Sequence, residues 1–499
     1  MNEIIQKKCN IKQSIISDLL NLEHRIFFLL PWVITVTLFL IIILKIISYG
    51  YIPVDDAMRH VGKAISGKPW SEILVLRQDA PMDHNPGWHF ILRSLYLQTG
   101  WDADELMVFS IVLFCMLYLI APLFWMRRPE AWLMSLLIFS LINMTSFVRM
   151  THGRPYILGI SITISVISMW YFQKPALKLR IVLTVILFVL STWIHGSWYL
   201  YVMIPFVFLI SGEFKKAAQI SLAWIVGSFI GACFTGEPIK FLSDEVRIAF
   251  MCFGNHELTR MLVTEFQPST GDITIWFAVL IILIIRKTLL GDWPKMWSNP
   301  FFLLAVVTWI LGLKICRFWI DWGLPSLVVW TAFQIQEILE VRIPEAVFKR
   351  FVFNCALSAA LFLGLTSDLG NRWTYNLTIE YITPDAEGIQ GWLPEDGGII
   401  YSASMQTFYR TFFKNPNANW KYILGFECTF MPPDDLKIYR KIQWNLGDSK
   451  SYEPWVKKMR PQDRLVIYGD ASSKPNIKEL EWHYAVSGTW IGRLPRTNP

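Results

Sequence analysis

Charged residues are scarce in this chain. Only 17% of its 499 residues are charged, whereas 54% are hydrophobic and 15% are aromatic. This balance excludes an ordinary soluble domain. Apolar runs long enough to cross ~30 Å of hydrocarbon recur along most of the chain and stop near residue 367. We therefore expect a polytopic membrane protein followed by a soluble C-terminal region.

Cysteines and recognisable ligand motifs are also few. The seven cysteines are scattered, and no CxxC pair, P-loop, GxGxxG fingerprint or internal repeat occurs. The net charge of +7 comes from short Lys and Arg clusters between apolar runs, not from a continuous basic face. These observations argue against a disulfide framework, a nucleotide-binding motif and a nucleic-acid partner.

The apolar runs predict an all-α polytopic bundle of about eleven transmembrane helices. The predicted spans are roughly 27–49, 106–126, 131–148, 157–172, 181–194, 199–211, 217–235, 272–286, 300–316, 324–339 and 350–366. Residues 1–366 then form the transmembrane domain, with a structured first outer loop at 50–105. Residues 367–499 alternate strand-like and helical pieces, which predicts an extracytoplasmic α/β domain.

The basic clusters predict the orientation. With a cytoplasmic N-terminus, every inner segment is positive, including Lys7, Lys8, Lys12 and Arg25 before the first span and Arg127-Arg128 after the second. This matches the positive-inside rule. We expect a multi-pass protein of the cell (inner) membrane with the tail outside, on the periplasmic side in a two-membrane cell.

Nine ionisable residues lie at or near the predicted outer ends of spans. They are Asp55, Asp56, Arg149, His152, Arg154, His195, Lys314, Arg317 and Asp321. Charged groups near hydrocarbon are costly and usually functional. None forms a series across the bilayer, so the distribution favours a site open to the outer face over a transport pathway.

Carboxylates beside basic residues at this level suit a lipid-linked phosphate. The phosphate of a polyprenyl-phosphate sugar would bind Arg154 or Arg317. Asp55 or Asp56 would deprotonate an acceptor hydroxyl that attacks the anomeric carbon, and the lipid phosphate would leave. A single displacement of this kind inverts the anomeric centre.

The overall plan and the stretch VDDAMRH (54–60) resemble the GT-C superfamily of integral-membrane glycosyltransferases, which includes protein mannosyltransferases and the lipid A aminoarabinose transferase. The late stretch KICRFWIDWG (314–323) is similar to the basic-aromatic motif of some members. The resemblance implies a lipid-phosphate-sugar donor, an acceptor that enters from outside, and Asp55, with Asp56 beside it, as catalytic base. It also implies phosphate-binding roles for Lys314 and Arg317.

The candidate residues fall into three groups. Asp55 and Asp56 are the catalytic candidates, and the choice of base between them is open. The donor-phosphate candidates are Arg149, Arg154, Lys314 and Arg317. The substrate-binding candidates are His60, Asp83, His84, His152, His195, Trp319, Asp321 and Trp322.

Structural interpretations compete with several of these roles. Asp55-Asp56 would also suit a helix start or an ion-pair face with Arg59 and His60. Asp83-His84 is either a divalent-metal position or a turn before a helix. A second acidic pair, Asp434-Asp435, is predicted to cap a helix in the tail.

Three other functions remain as alternatives. They are an O-antigen polymerase-like enzyme, a lipid-linked glycan transporter and a non-catalytic membrane subunit. The expected partners are a polyprenyl-phosphate-linked sugar, a glycan, lipid or protein acceptor, and membrane lipid. No cofactor is assigned, and a divalent metal is an open alternative.

Overall fold

The computed structural model describes residues 28–254, 264–342, 347–486 and 488–495. Within these residues the protein is mostly helical, and six helices are long and apolar enough to cross a membrane. They are Phe28–Ser48, Ala103–Trp125, Leu177–Ile194, Phe214–Cys233, Ile273–Leu290 and Phe348–Thr366. The prediction of a multi-pass chain is thereby supported by helix length and composition. The basic residues predicted before the first span, Lys7 to Arg25, lie outside the described residues.

The other predicted spans are also helical, but they are shorter or less apolar. Four shorter apolar helices occupy Pro129–Ile142, Tyr156–Tyr171, Trp198–Ile210 and Pro300–Gly312. The helix Leu324–Arg342 is preceded by a π-helical turn at Trp319–Gly323, and most of its residues are buried against neighbouring helices. Among the described residues, the structure therefore supports six candidate spans, whereas the sequence predicted about eleven.

The first outer loop is structured by three helices, Ala57–Ser66, Trp70–Ile73 and Pro86–Thr99. The first of them, here called the first-loop helix, ends at Gly67, whose φ of +63° is the left-handed conformation that glycine adopts easily. Pro86 begins the third helix at the position where proline is well tolerated. Both predicted helical runs of this loop are therefore present, at Ala57–Ser66 and Pro86–Thr99.

The C-terminal region contains a mixed five-stranded sheet with helices, as the alternating pattern predicted. The strands are Ile399–Ser402, Lys421–Tyr422, Arg464–Tyr468, Glu481–Ala485 and Thr489–Arg493. In chain numbering their order in the sheet is 2-1-3-5-4. Strand 1 is parallel to strands 2 and 3, and strand 5 is antiparallel to strands 3 and 4. The main helices are Met405–Lys414 and Pro433–Trp444. The last two strands were not predicted.

The tail packs closely on the first outer loop. Phe408 and Phe412 of the helix Met405–Lys414, here called the tail helix, belong to the same buried cluster as Val61 of the first-loop helix. Gly62 permits this approach, because a Cβ there would lie 2.9 Å from Cδ1 of Phe412. The two helices are thus held together by side-chain burial, and both reach the candidate site.

Ion pairs join the ends of helices at the opposite end of the bundle. Arg350 pairs with Glu130 at 2.9 Å, and both side chains are buried. Arg286 pairs with Glu337 at 2.6 Å. These arginines come from segments predicted to be cytoplasmic, and their partners lie near the beginning of Pro129–Ile142 and the end of Leu324–Arg342.

The prediction that Asp434 and Asp435 cap a tail helix needs correction. Both lie in the first turn of Pro433–Trp444, but no side chain caps this helix by a hydrogen bond. Asp435 is buried and accepts hydrogen bonds from Trp455 Nε1 and Lys458 Nζ, each at 3.0 Å. Its carboxylate therefore ties two helices of the tail together, and Asp434 is exposed beside Lys437.

Candidate functional site

A cavity of about 280 Å³ lies between the first-loop helix, the helical bundle and the tail. Its charged and polar lining consists of Asp56, Arg59, His84, Arg154, His195, Ser197, Tyr199, Glu265, Arg317, Tyr409 and Glu427. Its apolar and remaining lining consists of Leu200, Ile248, Ala249, Phe266, Ile315, Phe318, Trp322, Met405, Phe426 and Phe430. The cavity therefore has both charged and apolar lining residues, as ligand pockets commonly do.

Asp56 is the carboxylate of the first loop that lines this cavity. It immediately precedes the first-loop helix and forms a bidentate ion pair with Arg59, one turn along that helix. The hydroxyl of Tyr409, from the tail helix, donates to Oδ1 of Asp56 at 3.4 Å. Burial by itself would raise the pKa of Asp56, but Arg59, His60 and Arg154 together outweigh burial and hold the pKa well below its usual range.

Asp55 lies beside Asp56 but is not part of the cavity lining. Its Oδ1 accepts the backbone N–H of Ala57 at 2.9 Å, so it satisfies one of the free amides at the helix start. Its Oδ2 lies 3.0 Å from a guanidinium nitrogen of Arg154 and 3.1 Å from Nδ1 of His152. The adjacent carboxylates thus have different surroundings: Asp55 contacts Ala57, His152 and Arg154 behind the lining, and Asp56, paired with Arg59, lines the cavity.

A network of arginines and acids closes the other side of the cavity. Arg149 forms a bidentate pair with the buried Asp321, at 2.5 and 3.1 Å, and also contacts Glu265 at 2.6 Å. Arg154 lies 3.4 Å from Glu265, and Arg317 lies 3.1 Å from Asp321. Segments distant in the chain are brought together by these contacts.

Glu265 is surrounded by three of these arginines. Burial would raise its pKa, but Arg149, Arg317 and Arg154 lower it below the usual range of a glutamate. The site as a whole contains four arginines (Arg59, Arg149, Arg154, Arg317) and four acids (Asp55, Asp56, Glu265, Asp321). Nearly balanced charge explains how so many ionised side chains are buried together.

Two of the lining arginines have guanidinium nitrogens that the described ion pairs do not use. Nη1 of Arg59 is buried and has no hydrogen-bond partner among the described residues. Arg317 contacts its acidic partners through Nε, and 37% of its side chain is exposed. An anion that enters the cavity therefore finds available donors without first breaking every ion pair.

A second group, made of His84, Glu245 and His195, lies at another corner of the cavity. Nδ1 of His84 is in close contact with the carboxylate of Glu245, and the rings of His84 and His195 lie 4.8 Å apart. Burial raises the pKa of Glu245 and lowers that of His195. Among the described residues, no group of three or more His, Cys, Asp or Glu side chains is arranged to hold a metal ion.

The predicted site residues fall at three depths. Lining the cavity are Asp56, His84, Arg154, His195, Arg317 and Trp322. Directly behind the lining lie Asp55, Arg149, His152 and Asp321, which contact lining residues or one another. His60 and Asp83 lie on the far side of the first-loop helix, outside the lining.

Two predicted residues lie away from the cavity. Lys314 is exposed and has no described ion pair. Trp319 is fully buried, and its indole N–H donates to Asp272 at 2.5 Å, so it packs inside the bundle. Neither residue lines the cavity.

Glu265 and Tyr409 are the important lining residues that the sequence did not indicate. Glu265 lies in a loop between spans with no motif around it, and Tyr409 lies in the tail, which carried no predicted site residue. Arg59 had been considered only as an ion-pair partner. The i, i+3 spacing from Asp56 to Arg59 was the one available signal.

Comparisons with known proteins add no assignment. A scan against protein-family models finds no matching family. A search of curated proteins finds no match. The functional proposal therefore depends on the chemistry of the cavity.

Proposed function

We propose that the protein is an inverting glycosyltransferase that moves a sugar from a polyprenyl phosphate to an acceptor hydroxyl. The observation that carries the proposal is the placement of Asp56 in one cavity with three arginines, Arg59, Arg154 and Arg317. A base and an anion site must lie within one sugar ring of each other for this reaction. The proposal includes membership of the GT-C superfamily, which the VDDAMRH stretch resembles.

The arginines would bind the donor phosphate. Nη1 of Arg59 has no partner among the described residues, and Arg317 is partly exposed. Guanidinium groups match phosphate oxygens in geometry and charge. As the bond from sugar to phosphate breaks, negative charge grows on the leaving phosphate, so these groups would stabilise the transition state more than the ground state.

Asp56 would act as the base, in preference to Asp55. Asp55 is fixed by the amide of Ala57 and by Arg154. Asp56 reaches the cavity but is held by Arg59. Donor phosphate and Asp56 would share that guanidinium, so donor binding would raise the pKa of Asp56 and make it a better base when substrate is present.

Apolar lining residues, among them Leu200, Ile248 and Phe318, would receive the first part of the prenyl chain. The acceptor would approach from the side of the tail, which contributes Tyr409, Phe426 and Phe430. Lipid and acceptor would then contact different lining residues around one carboxylate.

The proposal also specifies the membrane arrangement. The eleven predicted helices would cross or enter the bilayer, with the N-terminus in the cytoplasm and the tail outside. Support comes from the separation of charges: the arginines of predicted inner loops pair with Glu130 and Glu337 at one end of the bundle, and the cavity lies at the other. Helix Leu324–Arg342 connects the two ends, and its 19 residues correspond to about 28 Å.

Binding of a polyprenyl phosphate tests the anion site. The purified protein in lipid nanodiscs is titrated with undecaprenyl phosphate and, separately, with the uncharged alcohol undecaprenol, and the Tm is followed. We expect the phosphate to raise the Tm and the alcohol to have a much smaller effect, because a ligand that binds the folded state stabilises it.

Matched arginine variants locate the binding. Arg317→Gln and Arg59→Gln should weaken the phosphate-dependent rise in Tm, each by about 10-fold in apparent affinity. Arg127→Gln is the control, because Arg127 is 72% exposed at the opposite end of the bundle. Equal stabilisation by phosphate and alcohol, or an equal response of all three variants, would contradict the proposed site.

A further inference from the structure

A chain of two histidines and a second carboxylate extends from Asp56 away from the cavity. Nε2 of His60 lies 3.5 Å from Oδ2 of Asp56. Nδ1 of His60 lies 2.9 Å from Nε2 of His89, and Nδ1 of His89 lies 2.6 Å from Oδ2 of Asp83. Both imidazole rings are buried. The chain therefore links the cavity carboxylate to Asp83 through two rings that water does not reach.

Asp83 is fixed at the far end of this chain. Its Oδ1 accepts the backbone N–H of Asn85 at 3.2 Å, which orients Oδ2 toward His89. It also lines a separate cleft of about 760 Å³ between the first outer loop and the tail. Burial would raise the pKa of Asp83, but His89 holds it below the usual range. Asp83 is therefore an anion that can only accept hydrogen bonds.

Two neutral histidines in series can donate to only one of the two terminal carboxylates, and the shorter contact, 2.6 Å at Asp83 against 3.5 Å at Asp56, assigns the donated proton to the Asp83 end. Because ionised Asp83 can only accept, the proton of neutral His89 lies on Nδ1, and its Nε2 is an acceptor. His60 must then carry its proton on Nδ1 to donate to His89. The remaining lone pair of His60, on Nε2, points toward Asp56.

Nε2 of His60 is the exceptional atom in this arrangement. It is buried and makes no hydrogen bond among the described residues, although Asp56 Oδ2 is only 3.5 Å away. A lone pair and an ionised carboxylate that face each other at this distance repel. A proton delivered to Asp56 would turn this contact into a hydrogen bond, so the chain is arranged to receive one.

We propose that His60, backed by His89 and Asp83, takes from Asp56 the proton that Asp56 removes from the acceptor hydroxyl. This inference rests on the proposed glycosyl transfer. His60 and His89 do not contact the cavity, so they are positioning residues that act through Asp56. Asp83 supplies the negative charge that makes a protonated histidine tolerable inside the protein.

The proposed step forms one bond, breaks one bond and moves one proton. The acceptor oxygen forms a bond to the anomeric carbon, the bond from that carbon to the phosphate oxygen breaks, and the leaving phosphate keeps the electron pair. The acceptor proton moves to Asp56 and then to Nε2 of His60, which becomes an imidazolium that donates through Nδ1 to His89. After the products leave, the proton returns through Asp56 to water in the cavity.

The rings are neutral before the reaction. Burial lowers the pKa of His60 to about 3, with Arg59 adding to the shift, and burial also lowers the pKa of His89. The charged groups that act on the two rings are Asp56, Arg59, Lys63 and Asp83. Engagement of Arg59 by donor phosphate would weaken its repulsion and make His60 a stronger acceptor when donor is bound.

The competing explanation is purely structural: the chain would only tie the first-loop helix to the helix Pro86–Thr99. A structural tie predicts variants that are less stable but fully active per folded molecule. A proton-accepting chain predicts a lower turnover rate with unchanged donor binding, and it requires the Nδ1–H tautomer in both rings. Tautomer and turnover therefore separate the two explanations.

Nitrogen NMR tests the tautomers without any substrate. The chain has eight histidines, and with the side chains ¹⁵N-labelled, signals lost in His60→Gln and His89→Gln identify the two rings. We expect both in the Nδ1–H form at neutral pH, and we expect His89 to change form in Asp83→Asn. An Nε2–H form of either ring in the unaltered protein would overturn the proposal.

Transfer kinetics test the role. The probe is the pool of radiolabelled lipid-linked sugars extracted from cells that make the protein, and the acceptor is supplied by membranes of the same cells. Asp83→Asn and His89→Gln should reduce the rate at saturating donor lipid by about 10- to 100-fold, with the half-saturating concentration unchanged. Asp434→Asn, an exposed aspartate of the tail, is the matched control.

Two other results have distinct meanings. If Asp56→Asn abolishes transfer but Asp83→Asn and His89→Gln retain the full rate, the chain is only structural and the glycosyltransferase proposal stands. If Asp56→Asn itself retains the full rate, the proposed function is wrong, and the proton-accepting role falls with it.

Discussion

The hydroxyl of Tyr409 lies 3.4 Å from Oδ1 of Asp56. These residues are more than 350 positions apart, one in the C-terminal region and one in the first outer loop. Tyr409 is placed by the tail helix, whose neighbouring Phe408 and Phe412 are buried against the first-loop helix. The tail is therefore part of the candidate site.

Removal of this hydroxyl tests the contribution of the tail. In Tyr409→Phe the ring and its packing remain, but Asp56 loses one donor. A hydrogen bond to a charged group contributes about 1.5–3 kcal/mol, so we expect transfer to fall by roughly 10- to 100-fold with little change in Tm. Tyr468→Phe, at a partly exposed position of the sheet, is the control. Equal activities of the two variants would show that the contact is incidental.

The buried ion pair at the other end of the bundle is predicted to affect stability alone. Glu130→Gln leaves Arg350 buried without its countercharge, which should cost about 3–5 kcal/mol and lower the Tm in detergent. Glu340→Gln should cost less than about 1 kcal/mol, because its partner Arg127 is 72% exposed. Transfer per folded molecule should be the same in both. A Tm that is equally insensitive to both changes would contradict the importance of burial here.

Stability is predicted to fall as the pH is lowered below neutrality. The pKa of His60 is lowered from 6.5 to about 3 and that of His152 to about 4, chiefly by burial. Below pH 6.5 the unfolded chain takes up protons at these positions while the folded chain does not, so acid favours unfolding. The Tm should decrease steadily from pH 7 to pH 4, and less steeply in His60→Gln. A Tm that rises as the pH is lowered from 7 to 4 would contradict this prediction.

The orientation is testable with a membrane-impermeant maleimide. In a background without reactive cysteines, Leu446→Cys in the tail, where the side chain is 92% exposed, should react in intact cells. Lys215→Cys, at an exposed position in the first turn of the helix Phe214–Cys233, should react only after the membrane is permeabilised. The opposite pattern would place the cavity on the cytoplasmic side.

The sequence predicted the parts of the fold that depend on local pattern. Apolar runs indicated the helices, and the strand-like pieces predicted at 398–402, 420–424 and 464–468 correspond to the strands Ile399–Ser402, Lys421–Tyr422 and Arg464–Tyr468. The strands Glu481–Ala485 and Thr489–Arg493 were not predicted; both are only five residues long, and the buried strand Thr489–Arg493 does not alternate apolar with polar residues. The number of membrane crossings was the feature hardest to predict from the sequence, because several apolar helices are shorter than a full span.

The candidate site could be predicted only in part. The predicted outer-end charges Asp56, Arg154 and Arg317 do line one cavity, and each lies at or just before the start of a helix. Glu265 and Tyr409 join them through long-range packing, for which one sequence holds no signal. His60 appeared to be a substrate ligand because it follows Asp56 by one helical turn, but that spacing places it behind the carboxylate, against His89.

The central claim is that Asp56 is the base for sugar transfer. The most direct measurement is transfer from extracted, radiolabelled lipid-linked sugars by Asp56→Asn, compared with Asp434→Asn and with the unaltered protein at equal amounts of folded enzyme. The account predicts that Asp56→Asn loses at least about 100-fold in rate, while Asp434→Asn is unchanged. Full activity of Asp56→Asn would contradict it.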